Sequence, residues 1–272
     1  MISDKFIMKG DAFMKKQLVF VLLLAMVIVL AACGPKEPGT DSEYVKANGK
    51  IIIGYTVYEP MNFFDSAGAF TGFDTELAYA VCAKLNLPPH FVEIDWGTKE
   101  IELNAKSIDC IWNGLTITED RKQTMSITIP YVQNAQVVVM KADAAYSGTA
   151  SLIGKTVVAE MGSAGEGEIA AEDNLQQANY VAKEVQTACL MEVKAGTADA
   201  AVLDLTLAKA MIGPGTNYSD LVIVDRLAVE DYGIAFRKGS DLCDKVNDIL
   251  RELKNDGTLQ ALADKYSLDL SN

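Results

Sequence analysis

Two regimes of hydrophobicity divide the chain. From Leu18 to Ala32 the sequence is an unbroken apolar run, preceded by Lys15 and Lys16 and closed by Cys33. It is shorter than the roughly 20 residues that a membrane-spanning helix needs, and it has the build of a secretory h-region. Beyond Asn48 the apolar stretches are short and their period switches back and forth. Strand-like runs at 50–55, 90–94 and 108–112 alternate with helix-like stretches at 74–85 and 99–106, and Leu77, Val81 and Leu85 recur on one face of the first. A second series follows, with strands at 156–159, 180–184, 200–204 and 221–224 and helices at 163–173, 187–195 and 206–211. The alternation predicts an α/β fold with largely parallel strands, and two such series in one chain predict two lobes. The apolar strands 136–140 and 232–236 are the expected crossings between them. Helices at 242–253 and 259–266 are expected to return to the first lobe, with Leu242, Val246, Ile249 and Leu253 as the core stripe.

The N-terminus reads as an address rather than a fold. The ending Leu30-Ala31-Ala32-Cys33-Gly34 resembles a bacterial lipobox, which makes Cys33 the lipid anchor and residues 1–32 the signal peptide. Residues 1–13 then precede the true start at Met14. A peptide cleaved near Ala32 and a retained signal anchor are the other readings of the same run. Residues 33–48, with Pro35, Pro38 and Gly39, read as anchor and flexible tether.

Charge narrows the function classes. Of 24 basic and 37 acidic residues, residues 1–32 hold four Lys and two Asp, so the remainder carries 20 and 35. That acidity argues against nucleic acid and against adhesion to anionic lipid. Cys82, Cys110, Cys189 and Cys243 lack the paired spacing of zinc sites and lie in apolar stretches, as small buried hydrophobes do. His90 is the only histidine and reads as a surface residue, so neither a metal centre nor a Ser-His-Asp triad is expected. No cofactor is expected.

The order of several short motifs is more telling. Gly54-x-x-x-Tyr58-x-Pro60-Met61-x-Phe63, Gly72-Phe73-Asp74-x-Glu76-Leu77, the run from Ile108 to Arg121, Gly154-Lys155-x-Val157, Gly196-x-x-Asp199-Ala200-x-x-x-Asp204 and Tyr232-Gly233-Ile234-Ala235 follow one another from Lys50 to Ser267. Together they resemble the extracellular solute-binding proteins of polar amino acid ABC importers. The resemblance implies a two-lobed, type II periplasmic-binding-protein-like fold with the ligand cleft between lobes, lobe one being 49–140 plus 232–272 and lobe two 141–231. It further implies a monomer on the extracytoplasmic face of the cell membrane, with a permease and an ATPase as partners.

A free amino acid needs a cation for its carboxylate and an anion for its ammonium. The resemblance puts Arg121 on the α-carboxylate, with Gly114 and Thr116 beside it, and Asp204 on the α-ammonium. A surface Arg121 paired with Glu119 or Asp120, and an Asp204 that only caps the next helix, are the competing readings. Ser163 and Ala164 lie between a strand and a helix, where free N–H groups and the positive helix end suit an anion. Ala164 stands where relatives carry threonine. Tyr58 and Trp96 are expected to flank the ligand side chain; Trp112, inside a strand, reads as core. Asp199 reads as structural. No acid stands just before Tyr58 as it does in relatives that take cations, so specificity for arginine or lysine is not expected, although Glu59, Glu100 and Glu166 are acids able to supply charge. A dehydratase acting on a cyclohexadienyl acid, with Glu166 as proton donor, is the alternative from another class, and a sensory module is a third.

Overall fold

The alternating runs assemble into one mixed sheet of nine strands with helices packed against it. The computed structural model describes residues 39–272, of which Thr40–Asn272 form a single compact unit. The expected signal peptide, residues 1–32, and the expected lipid anchor Cys33 lie outside the described residues.

The first wing of the sheet holds β1 (Ile51–Tyr55), flanked in parallel by β4 (Pro89–Glu93) and β5 (Cys110–Thr116). The short hairpin of β2 (Phe63–Phe64) and β3 (Phe70–Thr71) follows β1. The second wing holds β8 (Thr156–Glu160), parallel to β9 (Asn179–Lys183) and to β10 (Ala200–Asp204). Between them run two antiparallel strands, β7 (Val132–Lys141) and β11 (Leu221–Arg237), and β6 (Met125–Ile127) pairs the end of β11.

Periodicity locates the helices well. In α1 (Asp41–Asn48) and α2 (Phe73–Leu85) the ends are set by left-handed residues, Gly49 and Asn86. Leu77 and Val81 of α2 are buried as expected, and Leu85 packs half-buried against the core. In α8 (Asp241–Asn255), Leu242, Val246, Ile249 and Leu253 form the expected stripe, and α9 (Thr258–Tyr266) follows it. The remaining helices are α3 (Lys99–Asn104), α4 (Glu119–Thr124), α5 (Ala164–Ala171), α6 (Gln186–Ala195) and α7 (Leu205–Met211). The four described cysteines are buried free thiols, and His90 is exposed on β4.

Three expectations change. Residues 41–48, expected as tether, form α1: Thr40 Oγ1 caps it by accepting from Glu43 N, and Val45 is wholly buried. The apolar content there is low because side-chain pairing fixes the helix, with Asp41 on Arg237 and Ser42 on Asp241. Segments 221–224 and 232–236 belong to one strand, β11, whose register shifts twice where it pairs β7 and once where it pairs β5. Such shifts interrupt the period-two pattern and hide the continuity. Strand 108–112 is displaced to β5, carrying Asn113, Gly114 and Thr116 into the sheet, all buried.

Candidate functional site

Parallel strands of both wings end at one cleft, where ligand sites of α/β sheets form. On the first wall, Asn113 holds the turn after β1. Its Oδ1 accepts from Thr56 N (3.1 Å) and Thr56 Oγ1 (2.7 Å), and its Nδ2 donates to Thr56 O (2.9 Å) and Asn62 Oδ1 (2.8 Å). That turn carries Tyr58, whose hydroxyl lies 2.6 Å from that of Tyr232. Gly114 has φ +56°, and a Cβ there would come within 2.7 Å of Tyr58 Cε1 and 3.1 Å of a Tyr232 ring carbon. Conformation and space both require glycine. Gly114 N donates to Asp74 Oδ2 (2.7 Å), and Tyr131 OH donates to Asp74 Oδ1 (2.8 Å). Burial pushes this wholly enclosed carboxyl up to about 7, against the pull of those two donors.

Thr118 caps α4 by accepting from Arg121 N (3.2 Å). The Arg121 guanidinium turns inward, donating through Nη1 to Thr116 O (2.7 Å) and through Nη2 to Gly162 O (3.1 Å). Glu119 pairs instead with Lys122, so the surface reading of Arg121 fails. Trp96 is buried, with Lys99 Nζ 4.8 Å from its ring centroid, a cation–π distance. Lys99 Nζ donates to Trp96 O and to Gly162 O, both at 2.9 Å. Two cations of the first wall thus hold one carbonyl of the second.

The second wall starts where β8 ends at Glu160. Gly162, at φ +72°, turns the chain, and Ser163 Oγ accepts from Glu166 N (3.1 Å) to cap α5. Glu166 reaches back to accept from Gly162 N (2.7 Å), a variant of the capping box, and also accepts from Tyr180 OH (2.9 Å). β10 ends at Asp204. Asp204 Oδ1 accepts from Asn134 Nδ2 (2.7 Å) and Gln136 Nε2 (2.6 Å), and Oδ2 accepts from Gln186 Nε2. Its carboxylate makes no cap bond to α7; Asn134 Oδ1 accepts from Thr206 N instead (3.0 Å). The capping reading of Asp204 therefore fails as well. Glu230 Oε1 accepts from Thr116 Oγ1 (2.9 Å), Asn134 Nδ2 (2.7 Å) and Gln136 Nε2 (2.9 Å).

The cleft so formed is narrow, with a cavity volume of about 10 Å³. Tyr58, Trp96, Gly114, Thr116, Arg121, Ser163, Ala164 and Asp204 all line it, joined by Asn113, Glu160 and Gln186. A wider groove containing Glu59 shares no lining residue with it. Burial, with Asp204 next in weight, pushes both Glu160 and Glu230 up to about 8. Burial also lowers Lys99 to about 8 and lowers Arg121, Glu230 being the strongest opposing charge on Arg121.

Residues 51–269 match the model of the bacterial extracellular solute-binding proteins, family 3. The chain belongs to that family. Like the other members compared below, this family 3 protein has the two-lobed, type II periplasmic-binding-protein fold with its cleft between the lobes. The arginine-binding extracellular protein ArtP of Bacillus subtilis is 29% identical over 93% of this chain and 98% of its own. The L-cystine-binding protein TcyJ of Escherichia coli is 28% identical over 93% of this chain and 95% of its own. A crystal structure of a mutant ArgBP from T. maritima superposes with a TM-score of 0.77 at 33% identity, covering 83% of this chain and 98% of that one.

Within this family 3 chain, Trp112 packs in the core and Asp199 accepts from Thr156 N (2.8 Å), both as expected. Glu160, Glu230, Gln186, Asn134, Gln136 and Lys99 were not expected at the site. Glu160 has a signal of its own: it closes an apolar parallel strand as Asp204 does. The two amides of β7 have a weaker one, being polar in a strand buried along nearly its whole length. Lys99 and Glu230 have none.

Proposed function

We propose that this protein captures a free amino acid outside the cell and delivers it to an ABC permease and its ATPase. One observation carries the reading: a guanidinium, Arg121, and a hydrogen-bonded carboxylate, Asp204, line opposite walls of the same small cleft. A zwitterion's carboxylate and ammonium need that pair of charges. In this reading Arg121 grips the α-carboxylate, helped by Thr116 and by the main-chain N–H groups at Ser163 and Ala164. Asp204 receives the α-ammonium near Gly114, and Tyr58 and Trp96 flank the side chain.

Lobe one comprises 49–140 plus 232–272 and lobe two 141–231, to within the length of β7, whose Gln136 to Asp204 pairing already reaches the second wing. Support comes from Tyr232, where β11 passes from β7 to β5. The lobes close as a hinge over the ligand, and only contacts made in the closed form favour closure. The protein is a monomer, held on the outer face of the membrane through lipidated Cys33; among the described residues no helix is long and apolar enough to cross a membrane. It acts as a binding protein rather than an enzyme. Nothing favours a dehydratase, since Glu166 is bonded to Gly162 N and Tyr180 OH.

A thermal-shift screen of the purified chain against the twenty amino acids, cystine and prephenate tests the proposal. A ligand at 100 times its Kd adds about 2.7 kcal/mol. Stabilisation by one or a few L-amino acids, absent in Arg121→Ala, supports it. Indifference to all of them, or turnover of prephenate, defeats it.

A further inference from the structure

The charges of the cleft do not balance. Glu160, Asp204 and Glu230 face it or bond to its lining, and Arg121 and Lys99 oppose them, so that with all three acids ionised one carboxylate has no cation. A zwitterion adds nothing to this count, because its carboxylate engages Arg121 and its ammonium engages Asp204. The carboxylates also differ in what already holds them. Asp204 accepts from three amides and Glu230 from two amides and a hydroxyl. Glu160 is 3% exposed and lines the cleft, and its one side-chain hydrogen bond comes from Gln186, an amide that also donates to Asp204 and accepts from Asp204 N. A buried carboxylate is stable only when paired or protonated.

Resting on the amino-acid reading above, we infer that the ligand carries a positively charged side chain and that Glu160 is the residue that selects it. The groups around Glu160 are Lys99 of α3, Arg121 of α4, Asp204 of β10, and Gln186 and Cys189 of α6. Burial first, and repulsion from Asp204 second, keep the proton on Glu160 up to about pH 8. A cationic side chain seated against Glu160 opposes both causes by stabilising the ionised carboxylate, so its binding releases a proton near neutrality and tightens as pH rises towards 8.

Titration calorimetry on the full chain in detergent, with L-arginine and L-citrulline at pH 7, reads this directly, because the two ligands differ chiefly in one charge. L-lysine, L-ornithine and L-glutamine extend the comparison. The expected result is at least tenfold tighter binding of arginine, lysine or ornithine than of citrulline and glutamine. Protons should be released, as seen in buffers of different ionisation enthalpy. Glu160→Gln should shrink the cation-to-neutral affinity ratio tenfold or more, while Glu160→Asp keeps most of it. Preferential binding of a neutral or acidic amino acid would overturn the charge inference and leave amino acid capture standing. A cation preference that Glu160→Gln does not change would overturn the role of Glu160. If no amino acid binds, the capture reading falls and this inference falls with it. Should Glu160→Gln fail to fold, the arginine-to-citrulline ratio and proton release of the native chain still decide the charge inference, and Glu160→Asp decides the residue.

Discussion

The two walls of the cleft solve the same problem with opposite materials. The first presents two cations, Arg121 and Lys99, and is braced from behind by neutral side chains and one buried acid, Asp74. The second presents carboxylates braced by amides, Asn134, Gln136 and Gln186. Amides suit this task because they donate to several acids without neutralising them. The contrast teaches that charge is sorted by wall. Across the gap the backbone joins the two walls, since Arg121 and Lys99 both donate to Gly162 O.

The largest effect should come from removing the first wall's leading charge. Arg121→Ala should weaken amino acid binding by two to three orders of magnitude, about 3–4 kcal/mol, with the melting temperature of the free protein little changed; calorimetry checks both. A loss under tenfold would mean that the carboxylate is held elsewhere. On the other wall, Asp204→Asn should cost about 2 kcal/mol in affinity, the usual scale of a charge-assisted hydrogen bond. Equal affinity in that variant would break the sorting of charge by wall.

Gly114→Ala tests the packing behind the first wall. Forcing a side chain into the left-handed region against Tyr58 should cost about 2 kcal/mol of stability, a drop of about 4–8 °C in Tm by calorimetric scan. Ser163→Ala should lower stability by about 1 kcal/mol through loss of the α5 cap and should leave ligand affinity within about threefold. A larger affinity loss would give its hydroxyl a ligand contact as well.

The gentlest test is a slope. Glu160 and Glu230 at about 8 and Asp74 at about 7 lie above their unfolded values of 4.5 and 3.8. Between those limits the folded state holds protons that the unfolded chain has released, so stability falls as pH rises from about 4.5 to 8. Denaturant unfolding at several pH values reads this in the free protein, and Glu160→Gln should flatten it.

Legibility followed locality. Asp204 was readable as an acid closing an apolar strand, and Glu160 bears the same mark in Val157-Val158-Ala159-Glu160. Arg121 was readable only through its neighbours' resemblance to a family, since Glu119 and Asp120 offer a local partner on each count. Glu230 was not readable at all, and Gln136 only weakly, as a polar residue in a buried strand. They meet because β7 pairs both β10 and β11, and such pairing between distant segments leaves no periodicity behind. The same holds for β11, whose register shifts break its alternation, and for α1, whose helix is fixed by contacts with residues almost two hundred positions away.

That short helix also sets how the body bears a mechanical load. A pull applied at Thr40 enters through α1 and reaches the sheet at Arg237, which donates to both oxygens of Asp41 at 3.0 Å and also to Leu103 O, Ile108 O and Asp109 Oδ1. A second path runs from Ser42 into Asp241 at the start of α8. Both paths end in the wing built on β1 and β5. Tension on the N-terminal segment is thus taken up first by one wing of the sheet.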